Sequence, residues 1–273
     1  AGAFRVFGGV LPDDKRIVFA STERNGLDFD IYVRDVESGE QRMVFKGEYA
    51  FWPRSISPDG RHLLMTQGVG EDSNNLFLVD LESGETTTLS EPERRANTAD
   101  GGFAWTADGS SVYHTSNEQR EFRALIRRDL PANEVTTVAE AEHAIDNVQL
   151  CGADDRYLLW TTNEDGFFRL HGRDLEADAA LAVPELPDGV YSISCPRDSS
   201  LAAVVVNGYA TPGELRLWNL AEGSAPVRFA ANLAGLDAER MVRPESVRMK
   251  ARDGVTLQGL LYLPRDDARR GDG

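Results

Sequence analysis

The sequence predicts an all-β fold: a β-propeller of five four-stranded blades, complete or part of a larger one, followed by a C-terminal β-hairpin. Three observations predict it. A tight corner recurs five times between short apolar runs, at Leu11-Pro12-Asp13-Asp14, Ser57-Pro58-Asp59-Gly60, Thr106-Ala107-Asp108-Gly109, Gly152-Ala153-Asp154-Asp155 and Pro196-Arg197-Asp198-Ser199. Two further markers keep the same period. No apolar stripe of helical period extends over a dozen residues, and the best helical candidate, Asn232 to Arg240, is one or two turns.

The corner has a physical reading. Proline presets φ at the first position of a tight turn, and Asp-Gly tolerates the positive φ that follows, so each copy joins paired strands. The apolar residue before each corner is Val10, Ile56, Trp105, Cys151 and Cys195, at spacings of 46, 49, 46 and 44. The polar residue that closes the next strand but one is Asp35, Asp80, Asp129, Asp174 and Asn219, at spacings of 45, 49, 45 and 45. In the second unit the strands read as Tyr49 to Ser57, Arg61 to Gln67, Asn75 to Leu81 and Glu85 to Ser90, short and rich in β-branched or aromatic residues. A repeat of about 45 residues made of four antiparallel strands is a propeller blade. The blades run Phe4 to Lys46, Tyr49 to Ser90, Gly102 to Ala139, Ala144 to Pro184 and Val190 to Ala231. This divides the chain into blades over 1–231, a linker or short helix over 232–243, and a hairpin with a charged linker over 244–273.

In such blades the loops from last to first strand share a face with those from second to third. That face carries Thr22 to Phe29, Gly68 to Asn74, Glu91 to Gly101, Asn163 to Gly166 and Gly208 to Gly213. Binding concentrates on loops held by a rigid scaffold. The longest of these loops contains Arg94 and Arg95, whose guanidinium forks match a carboxylate, so they are the candidate substrate-binding pair; as an alternative they are a solubilising pair. Asn163-Glu164-Asp165-Gly166 lacks the ligand pattern of a calcium loop and reads as a hairpin turn.

Composition removes several function classes. The net charge is −16 and only three of the 29 basic residues are lysine, so no face gathers the positive charge that nucleic acid or an anionic membrane requires. Arginine in place of lysine, with excess acid, reads as a GC-rich genome or as adaptation to high salt. The longest apolar runs, such as Leu201 to Val206, are far short of a membrane span, and nothing from Ala1 onward has the form of a signal peptide, so the expected compartment is the cytoplasm. Oligomerisation stays open. Cys151 and Cys195 occupy equivalent places in neighbouring units. They are expected to be too far apart for a disulfide and to serve as small buried hydrophobes. The four histidines, His62, His114, His143 and His171, fall in or beside strands as surface or inter-blade residues. The carboxylate pairs Asp13-Asp14, Asp154-Asp155 and Asp266-Asp267 lie at corners or in the terminal linker. No catalytic residue, metal site or cofactor is expected; a metal-dependent lyase- or lactonase-like propeller would need histidines and carboxylates on the first strands, which offer too few.

After Ala231 the repeat stops. The stretch Pro244 to Pro264 alternates on both sides of Asp253-Gly254 and reads as a hairpin. It resembles the opening hairpin of the α/β-hydrolase domain in the prolyl oligopeptidase family, in particular its acylaminoacyl-peptidase-like branch, where a strand, Asp-Gly and a strand ending near Tyr-Leu-Pro follow a propeller. The upstream blades are similar to those of that family and of TolB-type propellers. The resemblance implies a serine peptidase whose propeller caps the active site, admits short peptides and positions their ends. A His-Gly-Gly stretch and a Gly-x-Ser-x-Gly elbow are absent from this sequence. The chain is therefore expected to be a non-catalytic propeller part, cut before a catalytic domain, with peptide substrate as its partner through that domain. The alternative is a free-standing TolB-like propeller that binds a protein or peptide; its hairpin would pack on its own blades.

Overall fold

The first three corners close through their own side chains. In Ser57-Pro58-Asp59-Gly60, Gly60 N–H donates to Ser57 O at 2.9 Å, and the Asp59 carboxylate accepts from Ser57 Oγ at 2.5 Å and Arg61 N–H at 3.0 Å. Asp13 and Asp108 take the same part, accepting from Lys15 N–H at 2.9 Å and Ser110 N–H at 3.0 Å. Gly60 and Gly109 sit at φ 72° and 69°, the left-handed region that favours glycine. The second marker is a turn former too. Asp35, Asp80 and Asp174 each accept two backbone N–H groups from the residues two and three ahead, at 2.8–3.0 Å, and Asn219 does the same at 3.1 and 3.3 Å. A short acid can cap a turn in this way without any other role.

The computed structural model describes residues 2–71, 73–90, 98–130, 132–230, 235 and 237–264. The strands between the turns form five four-stranded antiparallel sheets, each from consecutive strands, and one two-stranded sheet. Blade 1 comprises β1 (Arg5–Val10), β2 (Arg16–Ser21), β3 (Asp30–Asp35) and β4 (Gln41–Phe45); blade 2, β5 (Phe51–Ile56), β6 (His62–Gly68), β7 (Asn74–Asp80) and β8 (Thr86–Ser90). Blade 3 comprises β9 (Asp100–Trp105), β10 (Ser111–Ser116), β11 (Ala124–Asp129) and β12 (Glu134–Ala139). Blade 4 comprises β13 (Ile145–Cys151), β14 (Tyr157–Glu164), β15 (Phe167–Asp174) and the short β16 (Ala179–Ala180). Blade 5 comprises β17 (Val190–Ser194), β18 (Leu201–Asn207), β19 (Pro212–Asn219) and β20 (Val227–Ala230), and the hairpin is β21 (Glu245–Lys250) with β22 (Thr256–Leu261). This is the all-β propeller-like architecture expected. Of the helical candidate, the described part holds one 3₁₀ turn, Ala238–Arg240.

The chain divides into two units, Ala1–Glu142 with blades 1–3 and His143–Gly273 with blades 4 and 5 and the hairpin. In the first unit, Leu11, Val18, Ile31, Phe51, Leu63 and Met65 fill the seam between blades 1 and 2, and Leu64, Leu76, Leu89, Trp105 and Val112 fill that between blades 2 and 3. In the second unit, Leu159, Leu170, Tyr191, Val204, Val206 and Trp218 join blades 4 and 5. Removing this apolar area from water is what stacks one sheet on the next. Among the described residues no helix is long and apolar enough to cross a membrane.

The cysteines correct an expectation. Cys151 and Cys195 form a disulfide, with Cα atoms 5.5 Å apart, and are not the two separate buried thiols expected from their spacing. The equivalence that argued against a bond is what permits it. Both residues lie at the corner ends of the first strands of neighbouring blades, where the backbones converge. The same convergence in the first unit leaves no room for a side chain at Gly8, where a Cβ would fall 2.7 Å from Pro53 Cβ. The cysteine Cα separation lies inside the range a disulfide spans.

Candidate functional site

The Asn163 to Gly166 segment folds as the hairpin turn expected. Glu164 pairs with Phe167 across β14 and β15, and the two turn residues, Asp165 and Gly166, have φ of 55° and 89°. The tail lies against this turn. Leu260 sits beside Gly166, where a Cβ would be 3.4 Å from Leu260 Cδ1, and Arg248 approaches Asp165 at 3.6 Å.

The register of β21 and β22 sorts the hairpin into two faces. Val247 opposite Gly259, Met249 opposite Leu257 and Glu245 opposite Leu261 share one; Ser246 opposite Leu260, Arg248 opposite Gln258 and Lys250 opposite Thr256 share the other. The polar face, with Leu260, is the one that touches blade 4. Neither face is deeply covered: Leu260 is itself 40% exposed, and on the apolar face Met249 is 54% exposed, Leu257 48% and Leu261 41%.

One carboxylate gathers the surroundings of the tail. Asp188 accepts from Arg169 Nη1 of β15 at 3.0 Å, from Tyr209 O–H at 3.1 Å and from Arg243 Nη2 on the approach to β21. Burial, and then the hydrogen bond to Asp188, push the Tyr209 phenol up, so it stays a donor. Phe167 packs edge-on against Tyr209 at 6.2 Å.

The first unit holds a buried polar group of another kind. His114 on β10 is fully buried and its Nε2 accepts from Arg128 Nε at 3.3 Å. Its proton therefore sits on Nδ1, 3.3 Å from Thr115 O and 3.5 Å from Asp100 Oδ1. Burial, then the Arg128 charge, hold this imidazole at a pKa of about 3, so the approach to Asp100 is a contact of a neutral ring and not an ion pair. Arg128 also donates from Nη1 to Leu89 O at 2.9 Å and Asn133 Oδ1 at 2.6 Å, linking blade 3 to blade 2. Burial raises the Asp100 carboxyl against the opposing pull of the Ser116 hydroxyl and the Arg128 charge. These three side chains are completely enclosed, which makes them core structure and no site for substrate. Spacing could not reveal them, because the inter-blade reading of the histidines does not say which one is paired.

Among the described residues the remaining candidates are taken up in structural contacts. In blade 4 the Thr162 hydroxyl donates to Glu164 Oε1 at 3.0 Å, so His171, 2.8 Å away through Nε2, is its donor and not its base. Asp155 is tied to Arg197 at 2.6 Å. Among the described residues no three His, Cys, Asp or Glu side chains could hold a metal together. Arg94, Arg95 and Asp266-Asp267 lie outside the described residues.

No protein-family model matches the sequence, and no curated protein does. Solved structures do match. The chain is similar to a puromycin-hydrolyzing peptidase of Mycobacterium tuberculosis (TM-score 0.75, 17% identity, 96% of this chain and 42% of that one). It is similar to prolyl oligopeptidase B from Galerina marginata (TM-score 0.72, 16% identity, 91% of this chain and 37% of that one). It is also similar to TolB from Acinetobacter baumannii (TM-score 0.58, 18% identity, 84% of this chain and 55% of that one). The likeness is one of fold. It places this chain's architecture with the propellers of prolyl oligopeptidases and TolB, and the chain spans about half or less of the length of these structures.

Proposed function

We propose that this chain is the non-catalytic propeller part of a serine peptidase of the prolyl oligopeptidase kind, which carries an α/β-hydrolase domain and gates peptide access to it. The observation that carries the reading is the amphipathic tail hairpin. Its contact with the blade 4 turn is slight, since Leu260 beside that turn is still 40% exposed, and Met249, Leu257 and Leu261 stand in water on the other face. An apolar face of this kind is a surface for a partner. A free-standing TolB-like propeller would fold that face onto its own blades, and the exposure of these residues favours the peptidase reading over it. In this reading Arg94 and Arg95 hold a peptide carboxylate. A disulfide persists in oxidising compartments, so the Cys151–Cys195 bond weighs against the cytoplasm as the place where this chain works.

Hydrogen exchange tests the surface. In the full gene product the amides of β21 and β22 exchange slowly, protected by the partner domain; in this chain alone they exchange several-fold faster. Equal rates in the two proteins contradict the reading.

A further inference from the structure

We propose that Asp188 is an electrostatic latch that holds the tail against blades 4 and 5 and releases it as ionic strength rises. The inference stands on the contacts of Asp188 alone and does not depend on the peptidase reading.

Two of the donors to Asp188 belong to the blades. Arg169 comes from β15 and donates to the backbone Phe168 O as well, at 3.1 Å, while Tyr209 follows β18. They fix a carboxylate whose side chain is only 16% exposed. A carboxylate already oriented by two donors receives a third cation without ordering itself again, so this bond is worth more than an ordinary surface pair. The third donor, Arg243, is 70% exposed and stands immediately before buried Pro244 and β21.

Among the described residues no backbone hydrogen bond joins β21 or β22 to a blade. Other links are the exposed Arg248–Asp165 pair, Leu260 beside Gly166 and the buried Pro244. Both ion pairs are open to counterions, whereas the Tyr209 bond is to a neutral donor and resists screening. Salt therefore loosens the tail before it disturbs the blades. A two-stranded hairpin on its own is marginal in water, so once released β21 and β22 fray.

Hydrogen exchange of the whole chain in potassium chloride reads this directly, between about 50 mM, where screening reaches beyond ~10 Å, and about 1 M, where it falls to about 3 Å. The expected result is a several-fold rise in exchange across β21 and β22 at high salt, with β14 and β15 unchanged. Asp188→Asn should give the fast rate at both salt concentrations. Should that variant lose protection in β15 as well, Arg243→Gln decides, since its exposed side chain leaves the blades intact: it should be fast at both. Equal exchange of the unaltered chain at low and high salt overturns the proposal, as does a salt response in Arg243→Gln as large as that of the unaltered chain.

Discussion

Arg128 is 3% exposed, and its charge is answered through a neutral ring rather than by direct contact with an acid. A buried guanidinium needs its donors taken up, and here His114 Nε2 takes the Nε–H while Leu89 O and Asn133 Oδ1 take those of Nη1. The imidazole must stay unprotonated to accept, which gives it a pH signature. A histidine whose pKa is lowered on folding contributes stability above its unfolded value of about 6.5, and that contribution is lost as pH falls toward the folded value of about 3. Between pH 7 and 5 the loss amounts to about 2 kcal/mol for one such group. Asp100, with its pKa raised, works in the opposite sense, favouring the fold on acidification. Urea unfolding at the two pH values should therefore show His114→Gln losing less stability than the unaltered protein; equal losses would remove the imidazole from this role. The sequence showed only a histidine within a strand. That it sits against Arg128 depends on a diagonal across β10 and β11 and on the neighbouring blade, neither of which residue spacing reports.

The elements were more legible than their cross-links. Repeated Asp-Gly corners and the closing Asp fixed where strands turn, because both are local backbone devices whose partners lie two or three residues away. Blade boundaries moved by only a few residues: β9 opens at Asp100 instead of Gly102, and β16 is reduced to Ala179–Ala180. The disulfide was illegible for the opposite reason. Its partners are separated by 44 residues, and the distance that matters depends on how closely two first strands approach. Closing a loop of that length stabilises the fold by about 2–4 kcal/mol through the unfolded chain. Denaturant unfolding of the double variant Cys151→Ala/Cys195→Ala should show a loss of that order, and the oxidised, unfolded protein should present no titratable thiol. Two reactive thiols there would show that the bond does not form. The tail hairpin was legible from its alternation, but which face lies on blade 4 emerged only from the register and from Leu260 beside Gly166.

At the scale of the whole molecule, the blades account for architecture, and the proposed chemistry belongs to a partner domain docked on the hairpin. Five four-stranded blades and a fold shared with the propellers of prolyl oligopeptidases and TolB make a scaffold, and our proposal adds a catalytic domain to it. The candidate pair Arg94 and Arg95 bears on peptide binding only if such a domain is present. Labelling with a fluorophosphonate probe specific for activated serine tests this most directly. This chain alone should stay unlabelled, the full gene product should be labelled, and the modified serine should map outside residues 1–273. A full gene product that takes no label, or one labelled within the blades, would contradict it.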